Sequence, residues 1–477
     1  MILLILFITI LCGAIVSFMS PQPGRARWVA LITSLCSFVL SVYMVVKPTE
    51  EFSGFNYALP GELGASLNFG IDGLSLLLLL LTTFLSPLII LSAFNRTYRR
   101  PHVFYGLILL MELALAGVFT ARDGLMFYIC WELALIPIYF ICGLWGSTDK
   151  IRITFKFFVY TLVGSLFMLV ALIAVYMLTP APHSFSFEAL KAVEMTAEMQ
   201  TWVFAAFFLA FAIKIPIFPF HTWQPDTYNI APYQGSMLLA GIMLKMGIYG
   251  ILRLMIPLCP EPLEQWGWLA IVLSVTGILY ASVIAIKQDN LKKMLAFASI
   301  AHVGMIASGA MTITAEGLQG ATLQMVSHGI NVVGLFAMIE MLHVRLKTKK
   351  ISDMGGIAVK APVMSIFFMI FILATAALPL TNGFAGEFLL LAGLFRYNVW
   401  MSLLAGLSVI FTAIYLLWMN QRVMFGKPGE NLSEFRDLST REILILSPLV
   451  IMIFWIGIFP STFINLAGPA LNGLIGQ

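Results

Sequence analysis

Apolar blocks about 20 residues long follow one another along almost the whole chain, and that repeat leaves it one environment in which to fold. A helix rises about 1.5 Å per residue, so about 20 apolar residues cross a hydrocarbon core of roughly 30 Å. Fourteen spans can be drawn: 2–19, 28–47, 73–94, 103–121, 125–145, 153–178, 201–220, 235–253, 266–286, 291–312, 318–342, 363–396, 400–420 and 442–459. The expected fold is all-α, a polytopic membrane protein whose 477 residues make a single membrane domain. Residues 1–100 are its N-terminal helices, and 426–477 its C-terminal helix and tail. Only 10% of the residues are charged, against roughly 25% in a soluble domain, so a polar surface could not cover the chain. The first block lacks a basic n-region and a small-residue cleavage site, so it reads as a retained helix rather than a signal peptide.

Cytoplasmic loops collect Lys and Arg, which tests the span count independently of hydropathy. Alternate loops, beginning with Arg25 and Arg27, hold 2, 3, 3, 0, 3, 5 and 4 basic residues, 20 of the 27 in the chain. The opposite set holds five: Lys47, Arg122, Lys191, Arg253 and Arg396. Lys214 and Lys245 are left, and both lie inside spans. The alternation places both termini on the outer face. It also accounts for the formal charge of +4 without a nucleic-acid partner. The basic clusters at Lys287–Lys293 and Arg345–Lys350 read as solvated loops.

Five scattered cysteines (Cys12, Cys36, Cys130, Cys142 and Cys259) form no CxxC pair, and no histidine is spaced for a metal. No iron–sulfur or zinc site is implied, and the absence of a P-loop or GxGxxG turn argues against nucleotide chemistry.

Two spans are broken. Pro216 and Pro219 interrupt the seventh, and Pro379 with Gly383 and Gly386 the twelfth, since proline removes an amide and frees a carbonyl one turn back. Five spans separate the breaks, and an odd number reverses orientation. Glu132 to His302 is an offset of 170 residues and Lys214 to Glu387 one of 173. These offsets predict two inverted five-helix repeats, spans 4–8 (101–255) and spans 9–13 (263–425).

An ionisable group at mid-bilayer costs roughly 2.5–3.5 kcal/mol, so it needs a partner, a water-filled cavity or a function. Six residues fall in that class and are expected near the middle of their helices: Glu132, Lys214, Lys245, His302, His328 and Glu387. Consecutive helices of a bundle lie side by side, so six groups in series suit a lateral proton relay. In that reading Glu132 and Lys214 form a switch, Lys245, His302 and His328 pass the proton on, and Glu387 is the terminal carboxylate. The plain alternative is a structural ion pair between Glu132 and Lys214, with histidines bonded to neighbouring helices. Three residues are accessory candidates. Glu112 sits at a depth where a tight hairpin would bring it near Glu132, or it faces another helix. His221 and Asp226 lie in the loop HTWQPDTYNIAP (221–232), which is either a proton entrance or a rigid cap.

The strings WELALIPIYFICGLWG (131–146), AFAIKIPIFPFHTWQPD (210–226), APYQGSMLLAGIMLKMGIYGILR (231–253), QMVSHGINVVGLF (324–336) and NGFAGEF (382–388) resemble the antiporter-like subunits of respiratory complex I. The likeness covers essentially the whole chain. It implies that Glu132 and Lys214 are the family's glutamate–lysine pair, Lys245 its connecting lysine and Glu387 its terminal carboxylate. His302 and His328 fall where the family has histidines along a hydrophilic axis. It further implies a bacterial inner membrane or an equivalent membrane, and partners in a membrane arm that include neighbouring antiporter-like subunits. It implies no cofactor in this chain, with NAD, FMN, iron–sulfur clusters and quinone on partner subunits. Glu387 stands where the related chain L and the multisubunit cation/proton antiporters are similar in carrying lysine, which argues against an antiporter subunit. A membrane-bound hydrogenase subunit and a structural membrane scaffold compete with the complex I reading as well. One stretch departs from the family pattern: Gln224 precedes the proline where leucine is usual, and TYNIAP replaces a more acidic or histidine-containing string.

Overall fold

The computed structural model describes residues 1–20, 22–47, 54–60, 64–427 and 435–475. The crossing helices are α1 (Ile2–Met19), α2 (Pro23–Val46), α3 (Gly73–Ser92), α4 (Pro101–Thr120), α5 (Gly124–Trp145), α6 (Lys150–Tyr176) and α7 (Ala197–Lys214). They continue with α8 (Tyr233–Leu258), α9 (Pro260–Lys287), α10 (Leu291–Ala310), α11 (Ala315–Leu346), α12 (Pro362–Thr375) and α13 (Asn382–Tyr397). The series ends with α14 (Val399–Phe425) and α15 (Thr440–Ile458), and the C-terminal helix α16 (Ser461–Ile475) follows it. Among the described residues, thirteen helices are long and apolar enough to cross a membrane. The fourteenth span is the broken one, made of α12 and α13. Part of the stretch between α14 and α15 lies outside the described residues.

Two features depart from the expected pattern. An antiparallel hairpin, β1 (Gly54–Ala58) with β2 (Ser66–Gly70), occupies the long loop before α3. Its Phe55 and Phe69 pack on Phe7 of α1. The expected tail is the helix α16, which packs on α3 and α11.

The helices sort by what surrounds them. The most apolar window of α11 is wholly buried, and those of α8 and α10 are 94% and 89% buried, whereas that of α14 is 28% buried. Helices α1, α2, α6, α14 and α15 turn Ile, Val, Phe and Trp outward, as a lipid-facing ring does. Polar side chains therefore ride on helices hidden from lipid.

Local chemistry fixes the helix ends. Asp72 caps α3, accepting from the Ser75 amide at 2.9 Å, and Asp123 caps α5 through the Leu125 and Met126 amides. Asp72 also takes the Arg253 guanidinium of α8 and, at 3.4 Å, that of Arg122. Burial alone would raise its pKa, but the two guanidinium groups and the cap bonds hold it at about 2. At the other end of α3, Ser92 Oγ accepts from Gln234 of α8 at 2.9 Å. Helices α3 and α8 are thus tied together at both ends.

Candidate functional site

Helix α8 carries Lys245 between two π-helical segments, Leu239–Met243 and Ile251–Met255. A π turn widens the helix and turns a carbonyl out of the regular ladder. Lys245 uses one: its Nζ donates to the Ala240 carbonyl at 2.6 Å. Glycine brings α8 against α11, because a Cβ on Gly329 would fall 2.8 Å from the Gly241 carbonyl oxygen. That approach sets Lys245 Nζ 2.9 Å from His328 Nδ1. While Lys245 is protonated it donates to Nδ1, so the imidazole hydrogen sits on Nε2, which faces Ser299 Oγ at 3.2 Å.

The row continues across α10 to the second half of the broken span. The His302 and His328 rings lie 5.9 Å apart between centroids. His302 Nδ1 is 3.0 Å from Glu387 Oε1, which also accepts from Gln324 Nε2 at 3.3 Å. All of these groups are buried. A cavity of about 20 Å³ lies among Ser299, His302, Gln324, His328, Asn331 and Thr375, room for about one water. Several buried atoms along the row, His302 Nε2, Gln324 Oε1, Asn331 Oδ1 and Asn382 Oδ1, have no hydrogen-bond partner in the protein. Buried polar atoms are nearly always bonded, so these atoms leave the row with hydrogen-bonding capacity to spare.

Small residues admit α13 to this place. A Cβ on Gly386 would meet the Gln324 side chain, and one on Gly393 would fall 2.6 Å from Gly317 Cα. Gly386→Ala is therefore expected to push α13 off α11 and to cost about 1–3 kcal/mol. A melting temperature of the purified assembly equal to that of the unsubstituted protein would show that the close approach is dispensable.

At the other break, Lys214 is the last residue of α7. Because proline removes the amides that would continue the ladder, Ile217 donates instead to Ala212 at 2.8 Å, and the Trp223 indole donates to the Ile213 carbonyl at 2.9 Å. Lys214 is buried, with its Nζ 5.0 Å from the centroid of the Trp131 ring. Glu132, the residue after that tryptophan, lies beside Ser165 and in electrostatic reach of Lys214, with no ion pair within 4 Å between the two.

Several expectations are corrected. Lys214 sits beside a helix break rather than at mid-helix, because the prolines end the helix there, whereas Glu387 is the sixth of the sixteen residues of α13. Glu112 does not join Glu132: it faces α2, is fully buried, and accepts from the Ser37 hydroxyl. Most of the loop at 221–232 is buried, with Thr222 exposed, which accords with the cap, one of the two readings the sequence left open. His221 is buried against Phe218 and Tyr280, whereas Asp226 is at the surface, 4.0 Å from Lys156. Lys292 is no loop residue, being fully buried, with its Nζ donating to the Ala231 carbonyl at 2.6 Å over the Tyr233 ring at 4.4 Å. Arg345 binds Glu442 of α15 through both guanidinium nitrogens, at 2.8 and 2.7 Å.

A second polar cluster is not apparent from the sequence. Glu340 of α11 is buried, 2.9 Å from Arg96, and accepts from Gln234 Nε2 at 3.2 and 3.0 Å. The Tyr98 hydroxyl donates to Gln234 Oε1 at 2.6 Å. Its one sequence signal is an acidic residue inside the eleventh apolar block.

Comparison with known proteins fits this geometry. Residues 121–412 match the family model described as NADH:quinone oxidoreductase/Mrp antiporter, TM. NADH-quinone oxidoreductase subunit M of Rickettsia conorii is 38% identical over 464 residues, covering 95% of this chain and 93% of that protein. Its counterpart in Rhodobacter capsulatus is 37% identical, with 99% and 96% covered. Respiratory complex I from Thermus thermophilus contains a chain of the same shape, with a TM-score of 0.93, 32% identity, and 100% and 99% covered. Matched along nearly its whole length by these relatives and over residues 121–412 by the family model, the chain belongs to the NADH:quinone oxidoreductase/Mrp antiporter transmembrane family.

Proposed function

We propose that the chain is a proton-translocating membrane-arm subunit of an NADH-quinone oxidoreductase, working through Glu132, Lys214, Lys245, His328, His302 and Glu387. The observation that carries this reading is the buried row from Lys245 through His328 and His302 to Glu387, whose members lie within hydrogen-bond or ring-contact distance of the next. Ion pairs that only fix helices need no such continuity, and each buried ionisable group is costly in lipid. Glu132 and Lys214 supply the switch: approach of the carboxylate holds the ammonium charged, and separation favours release of its proton.

Redox chemistry belongs to other chains of the assembly, which hold NAD, FMN, iron–sulfur clusters and quinone, and its energy drives the row. The two five-helix units in opposite topology put one break in each half, at 215–223 and 376–381. The basic loops face the cytoplasm of a bacterial cell or its equivalent, and both termini face outward.

Lys214→Ala and Glu387→Ala in the whole complex test the proposal, with NADH-driven proton pumping and assembly measured side by side. Pumping is expected to fall at least about a hundredfold while assembled complex is retained. Parallel loss of assembly and pumping in every variant would make the chain a scaffold instead.

A further inference from the structure

We infer that Gln224, Tyr228 and Ser299 form a polar step that feeds protons from the loop at 221–232 to His328 and Lys245. This deepens the relay reading and rests on it. Gln224 and Tyr228 lie four residues apart on one face of the short helix Gln224–Ile230. Both are fully buried, and the Tyr228 hydroxyl lies in hydrogen-bonding reach of the Gln224 amide and the Ser299 hydroxyl. Ser299 Oγ in turn lies 3.2 Å from His328 Nε2.

An unbonded buried polar group costs about 1–3 kcal/mol. Side by side, the Gln224 amide and the Tyr228 and Ser299 hydroxyls avoid that cost by bonding to one another, which makes them a continuous polar line to His328. The step begins near solvent, since Thr222 is exposed and the Asp226 carboxylate is 46% exposed.

The transfer balances without any oxidant or co-reactant. Once Lys245 has handed its proton to Nδ1 of His328 and the Nε2 proton has passed on toward His302, the imidazole is neutral and its Nε2 is free to accept. A proton taken up at the loop then shifts each hydroxyl or water proton one place along, and the Ser299 hydroxyl proton arrives on Nε2. Only O–H and N–H bonds are made and broken.

The test uses the whole complex in inverted membrane vesicles, following NADH-driven proton uptake, NADH oxidation and complex content. Gln224→Leu and Tyr228→Phe are each expected to slow uptake about tenfold at unchanged complex content, and to enlarge its solvent deuterium isotope effect as delivery becomes the slow step. Gln224→Asn, which keeps the amide, restores part of the rate. Lys245→Ala is the reference arm. Wild-type uptake in Tyr228→Phe beside silent Lys245→Ala overturns the step and leaves the relay standing. Wild-type uptake in Lys245→Ala overturns both. Should Gln224→Leu fail to assemble, Tyr228→Phe, which removes one oxygen, decides the matter.

Discussion

Lys245→Arg is expected to silence proton translocation as fully as Lys245→Ala, at least about a hundredfold in rate, although it keeps a positive charge at the same place. The reason is chemical. Guanidinium does not give up its proton in a protein, whereas a desolvated ammonium does so readily. A lysine kept for shape or charge would tolerate the exchange; one kept to hand a proton to His328, 2.9 Å away, would not. The companion variant Lys245→Met speaks to the cost side. The ammonium is fully buried, and replacing buried charge by an apolar side chain of similar volume is often neutral or stabilising. Its purified complex should melt no lower than the unsubstituted one while failing to pump. Full pumping by Lys245→Arg in NADH-energised vesicles would remove this lysine from the path.

Glu340→Ala is expected to destabilise the assembly by about 3–5 kcal/mol, the scale of breaking a buried ion pair by removing one partner. Its carboxylate meets Arg96 at 2.9 Å and Gln234 at 3.0 Å, and Lys292 lies in electrostatic reach. Removal strands two cations, one of them fully buried. Glu340→Gln keeps a hydrogen-bond acceptor and should lose roughly half as much. The thermal unfolding of purified complex reads both, and an alanine variant that unfolds at the wild-type temperature would remove Glu340 as an anchor.

The spans were legible because lipid imposes a length and a composition that few other constraints do. The two breaks were legible because proline cannot complete the ladder, whatever surrounds it. The ionisable side chains were legible as exceptions within apolar blocks, and the structure brings four of them, Lys245, His328, His302 and Glu387, into one row. What stayed hidden depends on partners distant in sequence. Lys292 lies one residue inside α10, so hydropathy grouped it with the loop, whereas its burial comes from Ala231 and Tyr233, about 60 residues earlier. Glu340 could not be paired because Arg96 lies 244 positions away. Glu112 was ambiguous for a simpler reason: two faces of α4 are apolar, and only the packing of α2 chooses between them. The hairpin was present as alternation in GFNYA and SLNFG, too short and too widely separated to outweigh the helical pattern around it.

Helix α8 is moored to α3 by Gln234 at one end and by Arg253 at the other, with one wide turn between Gln234 and the lysine and a second that holds Arg253 itself. Passing from a wide turn to a regular one rotates everything between the joints by a fraction of a turn. The lysine can therefore turn about the helix axis at the first joint while the Gln234 end of the rod stays still.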